Sequence, residues 1–215
     1  MRTNTKRVRL VIGAALTFLL VTAGTTLAQT PTATAKPAEY DWRHGTTLNV
    51  LAGVNSASSR VGLLGGAAFG WEVTPRFAVE GTGSWLDRGR FANAFAADVK
   101  GSISATGPGR VVPFIGAGVG LYRASFERAQ ATVPDFYHRR MAMKQHAFTT
   151  AIFTDPTVVV SAGANLFLTE RVSVRPEVEL KVIARDSRSY TMTVLAMRLA
   201  YHFEEHPLSS ARRSR

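Results

Sequence analysis

The chain has 215 residues, of which 46% are apolar, and its mean hydropathy is +0.02. This composition excludes a disordered tail protein and a helical protein with many membrane spans. The absence of cysteine excludes disulfide scaffolds, thiol catalysis and cysteine-ligated zinc. A net charge of +11 does not indicate a nucleic-acid partner, because the excess of basic over acidic residues lies mostly in an N-terminal leader, one loop region and a C-terminal tail.

The first 28 residues have the three-part pattern of a secretory signal peptide. A basic start is followed by an apolar stretch over 10–23, and Thr26 and Ala28 are small residues of the kind that a signal peptidase accepts. We therefore expect cleavage after Ala28 and export. Residues 29–44 are rich in Thr, Ala and Pro without a hydrophobic period, which predicts a flexible periplasmic linker.

From residue 45 onwards the dominant pattern is an alternation of apolar and other residues with period two. It recurs in eight segments, which cover 46–54, 61–73, 77–85, 95–103, 111–121, 158–168, 172–184 and 191–203. No stretch has a helical period of similar strength. The predicted fold class is all-β, an eight-stranded antiparallel up-and-down β-barrel over residues 45–203.

The charged residues of these segments fall on the parity opposite to the apolar one. They are five acids and five bases: Glu72, Glu80, Asp98, Lys100, Arg175, Glu177, Glu179, Lys181, Arg185 and Arg198. The apolar face uses many Ala and Gly, which fill a protein core poorly but suffice against lipid. A balanced set of charges also suits a self-neutralising interior. We therefore predict a transmembrane barrel with a charged lumen, whereas a soluble barrel would have its two faces reversed.

The connections between segments alternate between short and longer ones. Short connections at 74–76, 106–109 and 169–171 predict three periplasmic turns, with both chain termini in the periplasm. The longer connections, which predict outer loops, cover 55–60, 86–90, 127–156 and 186–189. Residues 204–215 are predicted to be a short basic tail.

Aromatic residues of the apolar parity lie near the segment ends, where membrane barrels place their interfacial belts. The predicted lipid-interface aromatics are Trp71, Phe77, Tyr201 and Phe203 near the periplasm, with Trp85 near the outer rim.

Three stretches resemble the small eight-stranded outer-membrane β-barrel family, of the OmpA-like or opacity type. They are VPFIGAGVGLY at 112–122, TPRFAVE at 74–80 and LAYHF at 199–203. The resemblance implies a protein of the bacterial outer membrane, whose aromatic closing sequence is recognised by the barrel-assembly machinery. The family usually ends at that aromatic residue, whereas this chain continues for twelve residues beyond Phe203. We expect a monomer.

The sequence predicts no catalytic, cofactor-binding or metal-binding residue. The glycines at 116, 118 and 120 lack the third glycine of a dinucleotide fingerprint, because Leu121 occupies its place. The five histidines show no strand alternation with serine of the kind that a barrel acyl hydrolase needs.

An eight-stranded barrel is just wide enough for side chains to fill it, so the lumen charges predict a structural plug. We expect Glu80 to pair with Lys100, and Arg198 to pair with Glu177 or Glu179. The segment after the fifth strand is the candidate for surface binding to anionic groups such as lipopolysaccharide phosphates. Its candidate residues are Arg128, Phe136, Tyr137, Arg139, Arg140 and Lys144.

The predicted function is therefore that of a non-enzymatic outer-membrane barrel with a structural or surface-binding role. Three alternatives stay open from the sequence: a lipid A-modifying barrel enzyme, a narrow gated pore, and a soluble periplasmic binder of the lipocalin kind. For the long outer connection, the alternative to a binding loop is a strand extension above the membrane with an ordinary polar tip.

Overall fold

The computed structural model describes residues 45–57, 60–127, 137, 150–185 and 188–208, without the side chains of Arg185 and Arg188. The predicted signal peptide, the predicted linker and the last seven residues of the tail lie outside the described residues. In the part of the chain that the structure describes, no helix has the length and hydropathy of a membrane span.

Eight strands account for most of the described chain. They are β1 (Gly45–Ala57), β2 (Arg60–Glu72), β3 (Phe77–Asp87), β4 (Ala92–Ser104), β5 (Val111–Glu127), β6 (Thr150–Phe167), β7 (Val172–Arg185) and β8 (Arg188–His202). Each strand pairs antiparallel with its neighbours in sequence, and β1 pairs with β8 to close the barrel. Closure leaves no unpaired strand edge. The predicted eight-stranded antiparallel barrel is confirmed.

The two faces of the barrel have opposite chemistry. On the outside, Val50, Val99 and Leu199 are 56%, 57% and 51% exposed, whereas the inward-facing Lys100 and Arg198 are 2% and 1% exposed. This is the reverse of a water-soluble barrel, which buries its apolar face. The orientation predicted from the alternation is therefore the one that the structure has.

The hairpin of β5 and β6 is longer than the sequence predicted. The apolar alternation stops at Leu121 and resumes at Val158, but the ladder continues to the pair of Glu127 with Thr150. Most outward positions in this extension are polar, for example Arg123 and Thr154, and the single apolar Ile152 does not make an alternation that would signal a lipid-facing strand. Backbone pairing does not need that signal, and the connection predicted at 127–156 is correspondingly shorter.

Two of the short turns share one construction. Thr74 Oγ1 accepts a hydrogen bond of 2.9 Å from the backbone N–H of Phe77, and Thr169 Oγ1 accepts one of 3.0 Å from that of Val172. A threonine hydroxyl that bonds the backbone a few residues on stabilises a tight reversal of the chain. These turns define one end of the barrel, here called the turn end; the opposite end, at which β5 ends and β6 begins, is the loop end.

Pro176 interrupts one strand ladder without opening the barrel. Between β6 and β7 the pairs Gly163–Glu177 and Leu166–Val174 are present, but the two pairs between them are missing. Proline has no backbone N–H to donate, which accounts for the gap. On the other side of β7, Pro176 still pairs with Met197, so β7 stays in register.

Candidate functional site

The lumen is the candidate functional site, because it collects most of the buried charged side chains of the described chain. At mid-height lies a central charge network of four acids and four bases, each at most 8% exposed. Its members are Glu80 on β3, Asp98 and Lys100 on β4, Arg175, Glu177, Glu179 and Lys181 on β7, and Arg198 on β8.

Arg198 lies at the centre of this network. Its Nη1 donates to Glu80 Oε1 at 2.7 Å and its Nη2 donates to Glu179 Oε1 at 2.7 Å. Its Nε lies 2.7 Å from Glu177 Oε2. One guanidinium thereby joins β8 to the adjacent β7 and, across the lumen, to β3.

Two further cations surround the same acids. Lys100 Nζ contacts Glu177 and lies 3.1 Å from Glu179 Oε1 and 3.7 Å from Glu80 Oε1. Arg175 Nη1 donates to Glu80 Oε2 at 2.9 Å, and its guanidinium carbon lies 4.1 Å from the centre of the Phe114 ring. The pairings expected from the sequence, Glu80 with Lys100 and Arg198 with the two acids of β7, are thus both present.

A second pair extends the network towards the loop end. Lys181 Nζ contacts Asp98 and lies 3.5 Å from Glu179 Oε2, while Thr157 Oγ1 donates to Asp98 Oδ1 at 3.2 Å. Each carboxylate of the network faces a cation, and the formal charges of the eight groups sum to zero. Buried charges persist when they are paired and hydrogen-bonded in this way.

Glycines on β5 leave room for these long side chains. A Cβ at Gly116 would lie 2.8 Å from Ser161 Oγ and 3.3 Å from the Lys100 side chain, and one at Gly120 would overlap the Asp98 carboxylate. The glycine run at 116–120 therefore lines the lumen beside the network. Its spacing serves packing inside the barrel.

A small cavity lies at the turn end, below the network. Its volume is about 50 Å³, and its lining includes Glu72, Arg175, His202 and His206. That space holds a few water molecules at most.

Residues 203–208 extend across the turn end. The His206 ring stacks on Phe167, with centroids 3.6 Å apart and an interplanar angle of 4°, and its Nε2 accepts a hydrogen bond of 3.4 Å from Gly109 N. The backbone N–H of His206 donates to Glu170 O at 2.8 Å. Burial lowers the pKa of His206 to about 4, so the ring is neutral at pH 7 and able to accept that bond.

Three side chains at the turn end form a line that resembles a nucleophile, a base and an acid. Ser173 Oγ lies 2.9 Å from His202 Nε2, and His202 Nδ1 lies 3.7 Å from Glu72 Oε1. Ser173 is fully buried and does not line the cavity, however, whereas a hydrolytic nucleophile has to reach its substrate. We interpret the Ser173–His202 contact as a hydrogen bond that joins β7 to β8.

The loop end is filled mainly by aromatic side chains. Tyr137 is fully buried, stacks on Phe153 with ring centroids 4.8 Å apart, and packs against Phe126 at 5.3 Å. Its hydroxyl donates to Asp155 Oδ2 at 3.0 Å. Burial raises the pKa of the Tyr137 phenol above its usual range.

A polar contact completes the filling of the loop end. Arg88 Nη1 donates to Asn55 Oδ1 at 2.9 Å, and Nη2 donates to the Tyr190 hydroxyl. The lumen is therefore occupied at its centre by charged side chains and at the loop end by rings.

Two residue predictions need correction. The sequence predicts Tyr137 in a surface-binding loop, but its ring lies inside the barrel against Phe126 and Phe153 of the extended β5–β6 hairpin. Glu72 was assigned to the lumen charge network, but it is the last residue of β2, so it lies at the turn end beside His202, with 26% of its side chain exposed.

The other predicted residues divide into described and undescribed ones. The lipid-interface aromatics Trp71, Phe77, Trp85, Tyr201 and Phe203 lie on the outer surface and are 37–51% exposed. The side chain of Arg185 and the loop candidates Arg128, Phe136, Arg139, Arg140 and Lys144 lie outside the described residues.

Sequence reasoning missed several buried polar residues of the lumen. They are Arg88, Asp155, Ser173, Tyr190 and His202. The sequence did contain a signal for two of them. Every second residue of a strand faces the lumen, so the series Ser84, Leu86 leads to Arg88. In the last segment the same alternation places His202 on the inward face. Extending each alternation to its last polar position would have found most of them.

No model of a protein family matches this sequence, and no curated protein does. Solved structures do match it. Neisserial surface protein A has a TM-score of 0.55 at 12% identity, over 74% of this chain and 96% of that one. The N-terminal β-barrel domain of Pseudomonas aeruginosa OprF has a TM-score of 0.51 at 10% identity, over 74% and 100% of the two chains.

A third match is Ail, the attachment invasion locus protein of Yersinia pestis, in complex with the heparin analogue sucrose octasulfate. It has a TM-score of 0.50 at 9% identity, over 75% of this chain and 100% of that one. These likenesses show a shared fold. The chain has the fold of the small eight-stranded outer-membrane barrels, as the resemblance in its sequence implied.

Proposed function

We propose that this chain is a non-enzymatic β-barrel of the bacterial outer membrane, with a closed lumen and a structural or surface-binding role at its loop end. The observation that carries the proposal is the central charge network, which fills the barrel interior while the apolar side chains face outwards. On this proposal the turn end faces the periplasm. The cleaved signal peptide and the barrel-assembly machinery are its route to the membrane.

The outer surface has the dimensions of a membrane barrel. Outward positions of β5 from Val111 to Leu121 are apolar or small, and ten residue steps of a tilted strand rise about 25 Å. An apolar band about 25 Å tall is characteristic of outer-membrane barrels. Phe77 and Tyr201 lie towards the turn end and Trp85 towards the loop end, as interfacial belts require.

The filled lumen argues against a narrow pore. An ion that crosses the barrel would have to displace Arg198 or Lys100 from acids within about 3 Å, in an environment that leaves each group at most 8% exposed. Separating buried pairs of this kind costs several kcal/mol for each group that is left unpaired. The role of the network that fits best is to hold opposite walls of the barrel together.

The arrangement also argues against a lipid A-modifying enzyme. The contact of Ser173 with His202 lies inside the barrel at the turn end, whereas lipid A lies in the outer leaflet, outside the barrel at the loop end. Ser173 is moreover fully buried.

Binding at the loop end is supported by charge. The sequence between β5 and β6 contains Arg128, Arg139, Arg140 and Lys144, which suit an anionic partner. Ail of Yersinia pestis, which has the same fold, is known in complex with a heparin analogue. We propose that this chain acts as a monomer that presents a cationic surface at the loop end.

Two measurements test the proposal. Outer-membrane fractions are run unheated and boiled on a detergent gel; a folded barrel migrates faster unheated, and equal mobility or recovery in the soluble periplasm would refute the membrane assignment. The purified protein is then inserted into planar bilayers. We expect no conductance steps from the wild type, and regular steps would overturn the closed lumen.

A further inference from the structure

A charged side chain faces outwards at one interior position of the described strands. Within the described strands, and away from their first and last residues, Arg123 on β5 is the only charged side chain on the outward face. Its two cross-strand partners are Phe95 on β4 and Thr154 on β6. Along β5 its outward neighbours are Leu121 and Ser125, so no acid lies in the ladder around it.

The height of Arg123 places it at the boundary of the apolar band. The band on β5 ends at Leu121, one outward position below. A lipid-facing arginine costs about 2–4 kcal/mol at the midplane of a bilayer but only about 0–1 kcal/mol near its interfaces. The guanidinium of Arg123 therefore lies at the depth of the lipid headgroups on the side of the loop end.

Two aromatic rings flank this cation. Trp85 is the cross-strand partner of Phe95, and Phe95 is that of Arg123, so the three side chains form one row across β3, β4 and β5. The rings are 48% and 52% exposed. The Phe95 ring leans towards the band, since a Cβ at Gly83 would lie 3.5 Å from its Cζ. Aromatic side chains at this depth contact the region where acyl chains meet headgroups.

Arg123 is free for an external ligand within the described chain. None of the described ion pairs includes it, and its side chain is exposed. Guanidinium binds phosphate through two parallel N–H donors, which makes phosphate the anion that best fits an unpaired arginine at headgroup depth. We propose that Arg123, flanked by Trp85 and Phe95, binds the phosphate of an anionic lipid in the leaflet at the loop end.

This inference rests on the proposed membrane location and names a ligand for that surface. The shared chemistry is a lipid-borne phosphate, which either a phosphorylated glycolipid such as lipid A or an anionic phospholipid could supply. An interfacial site of this kind would hold such lipids around β3–β5 in preference to the rest of the barrel surface.

The test is native mass spectrometry of the folded protein in detergent, titrated separately with lipid A, dephosphorylated lipid A and phosphatidylglycerol. The variants are Arg123→Gln and Arg123→Lys, and Arg110→Gln is the matched control, since Arg110 is exposed in a turn at the opposite end. Unheated gel mobility first verifies that each variant is folded.

We expect Arg123→Gln to lose about tenfold in apparent affinity for the phosphorylated lipid, which corresponds to ~1.4 kcal/mol. Arg123→Lys should lose less affinity, because it keeps the charge. Arg110→Gln should bind the phosphorylated lipid as the wild type does, and dephosphorylated lipid A should bind to Arg123→Gln and to the wild type alike. If Arg123→Gln loses affinity equally for lipid A and for phosphatidylglycerol, the site recognises the phosphate alone. If it loses affinity for lipid A but not for phosphatidylglycerol, the site recognises the glycolipid.

The inference is overturned if Arg123→Gln binds phosphorylated lipid as well as the wild type, or if Arg110→Gln loses as much. Its failure is distinct from that of the proposed function. A wild-type protein that is absent from outer-membrane fractions refutes the location, whatever lipids it binds in detergent.

Discussion

Arg198 Nε on β8 lies 2.7 Å from Glu177 Oε2 on β7, and the two residues are 1% and 3% exposed. The same guanidinium reaches Glu80 on β3, so a contact between neighbouring strands is also a contact across the barrel. In this arrangement the loss of Arg198 would reduce the compensating positive charge at acids on two walls of the barrel at once.

Replacing Arg198 by Met is therefore expected to destabilise the barrel strongly. The substitution keeps apolar length but leaves Glu80, Glu177 and Glu179 with less compensating charge in a buried site, which costs about 3–5 kcal/mol. Urea unfolding of the refolded protein in detergent, followed by gel mobility, measures the change. Arg76→Gln, in an exposed turn, should leave the midpoint unchanged.

A double variant separates charge from packing. Adding Glu177→Gln to Arg198→Met removes one uncompensated acid, so part of the lost stability should return. The reference is the loss of stability that Glu177→Gln causes in the wild-type protein. If Glu177→Gln causes the same loss in the Arg198→Met variant, the two residues are not energetically coupled.

The burial of Tyr137 predicts how the segment between β5 and β6 is held. In Tyr137→Ala the ring contacts with Phe126 and Phe153 are lost, whereas Tyr137→Phe keeps the ring and removes the hydroxyl that bonds Asp155. We expect faster trypsin cleavage after Arg139 and Arg140 in the alanine variant. The phenylalanine variant should stay close to the wild type, and equal rates in all three proteins would contradict the anchoring role of the ring.

The stack of His206 on Phe167 predicts a pH dependence at the turn end. The folded pKa of about 4 lies below the ordinary 6.5, so the folded state binds fewer protons between these values. The contribution of the neutral His206 ring to the stability of the turn end is therefore fully present above pH 6.5. It falls as the pH drops towards 4 and is absent below that value. Other titratable groups nearby are His202, at 6.3 Å between ring centroids, and the Arg171–Glu205 pair.

Amide hydrogen exchange of His206, corrected for the intrinsic pH dependence of exchange, measures this effect. Protection of the bond to Glu170 O should decrease from pH 6.5 to pH 4. In His206→Phe the stack is kept without its own titrating group, so the pH dependence of protection in that range should become smaller, and what remains belongs to His202 and Glu72 at the same end of the barrel. A wild type whose protection is constant down to pH 4 would rule out His206 as the titrating contact.

Ser173→Ala tests whether the serine–histidine contact is structural. On the proposed function, lipid A from cells that express the variant should have the same acyl pattern as lipid A from cells with the wild type. The barrel should lose about 1–3 kcal/mol, since a buried histidine nitrogen loses its partner. A lipid A mass change that depends on Ser173 would instead establish an enzyme.

Much of the fold could be predicted from the sequence because one physical rule acts at every strand. Side chains alternate between the two faces of a strand, so Val178, Glu179 and Leu180 reveal the outward and inward faces without any knowledge of their neighbours. The extension of β5 and β6 could not be predicted in this way, because it carries polar outward residues such as Arg123. The length of this hairpin depends on backbone hydrogen bonds between β5 and β6, and these do not appear in the hydropathy pattern of the sequence.

The pairing of neighbouring strands follows from chain order. The contacts of Glu80 with Lys100 and of Arg198 with Glu177 could therefore be predicted from the sequence. The contacts of Glu80 with Arg175 and Arg198 were not, because they join walls that are 95 and 118 residues apart in the chain. Only barrel closure and strand tilt decide which inward side chains meet at one height. The alternation of the sequence determined which residues enter the lumen, and the tertiary structure decided their partners there.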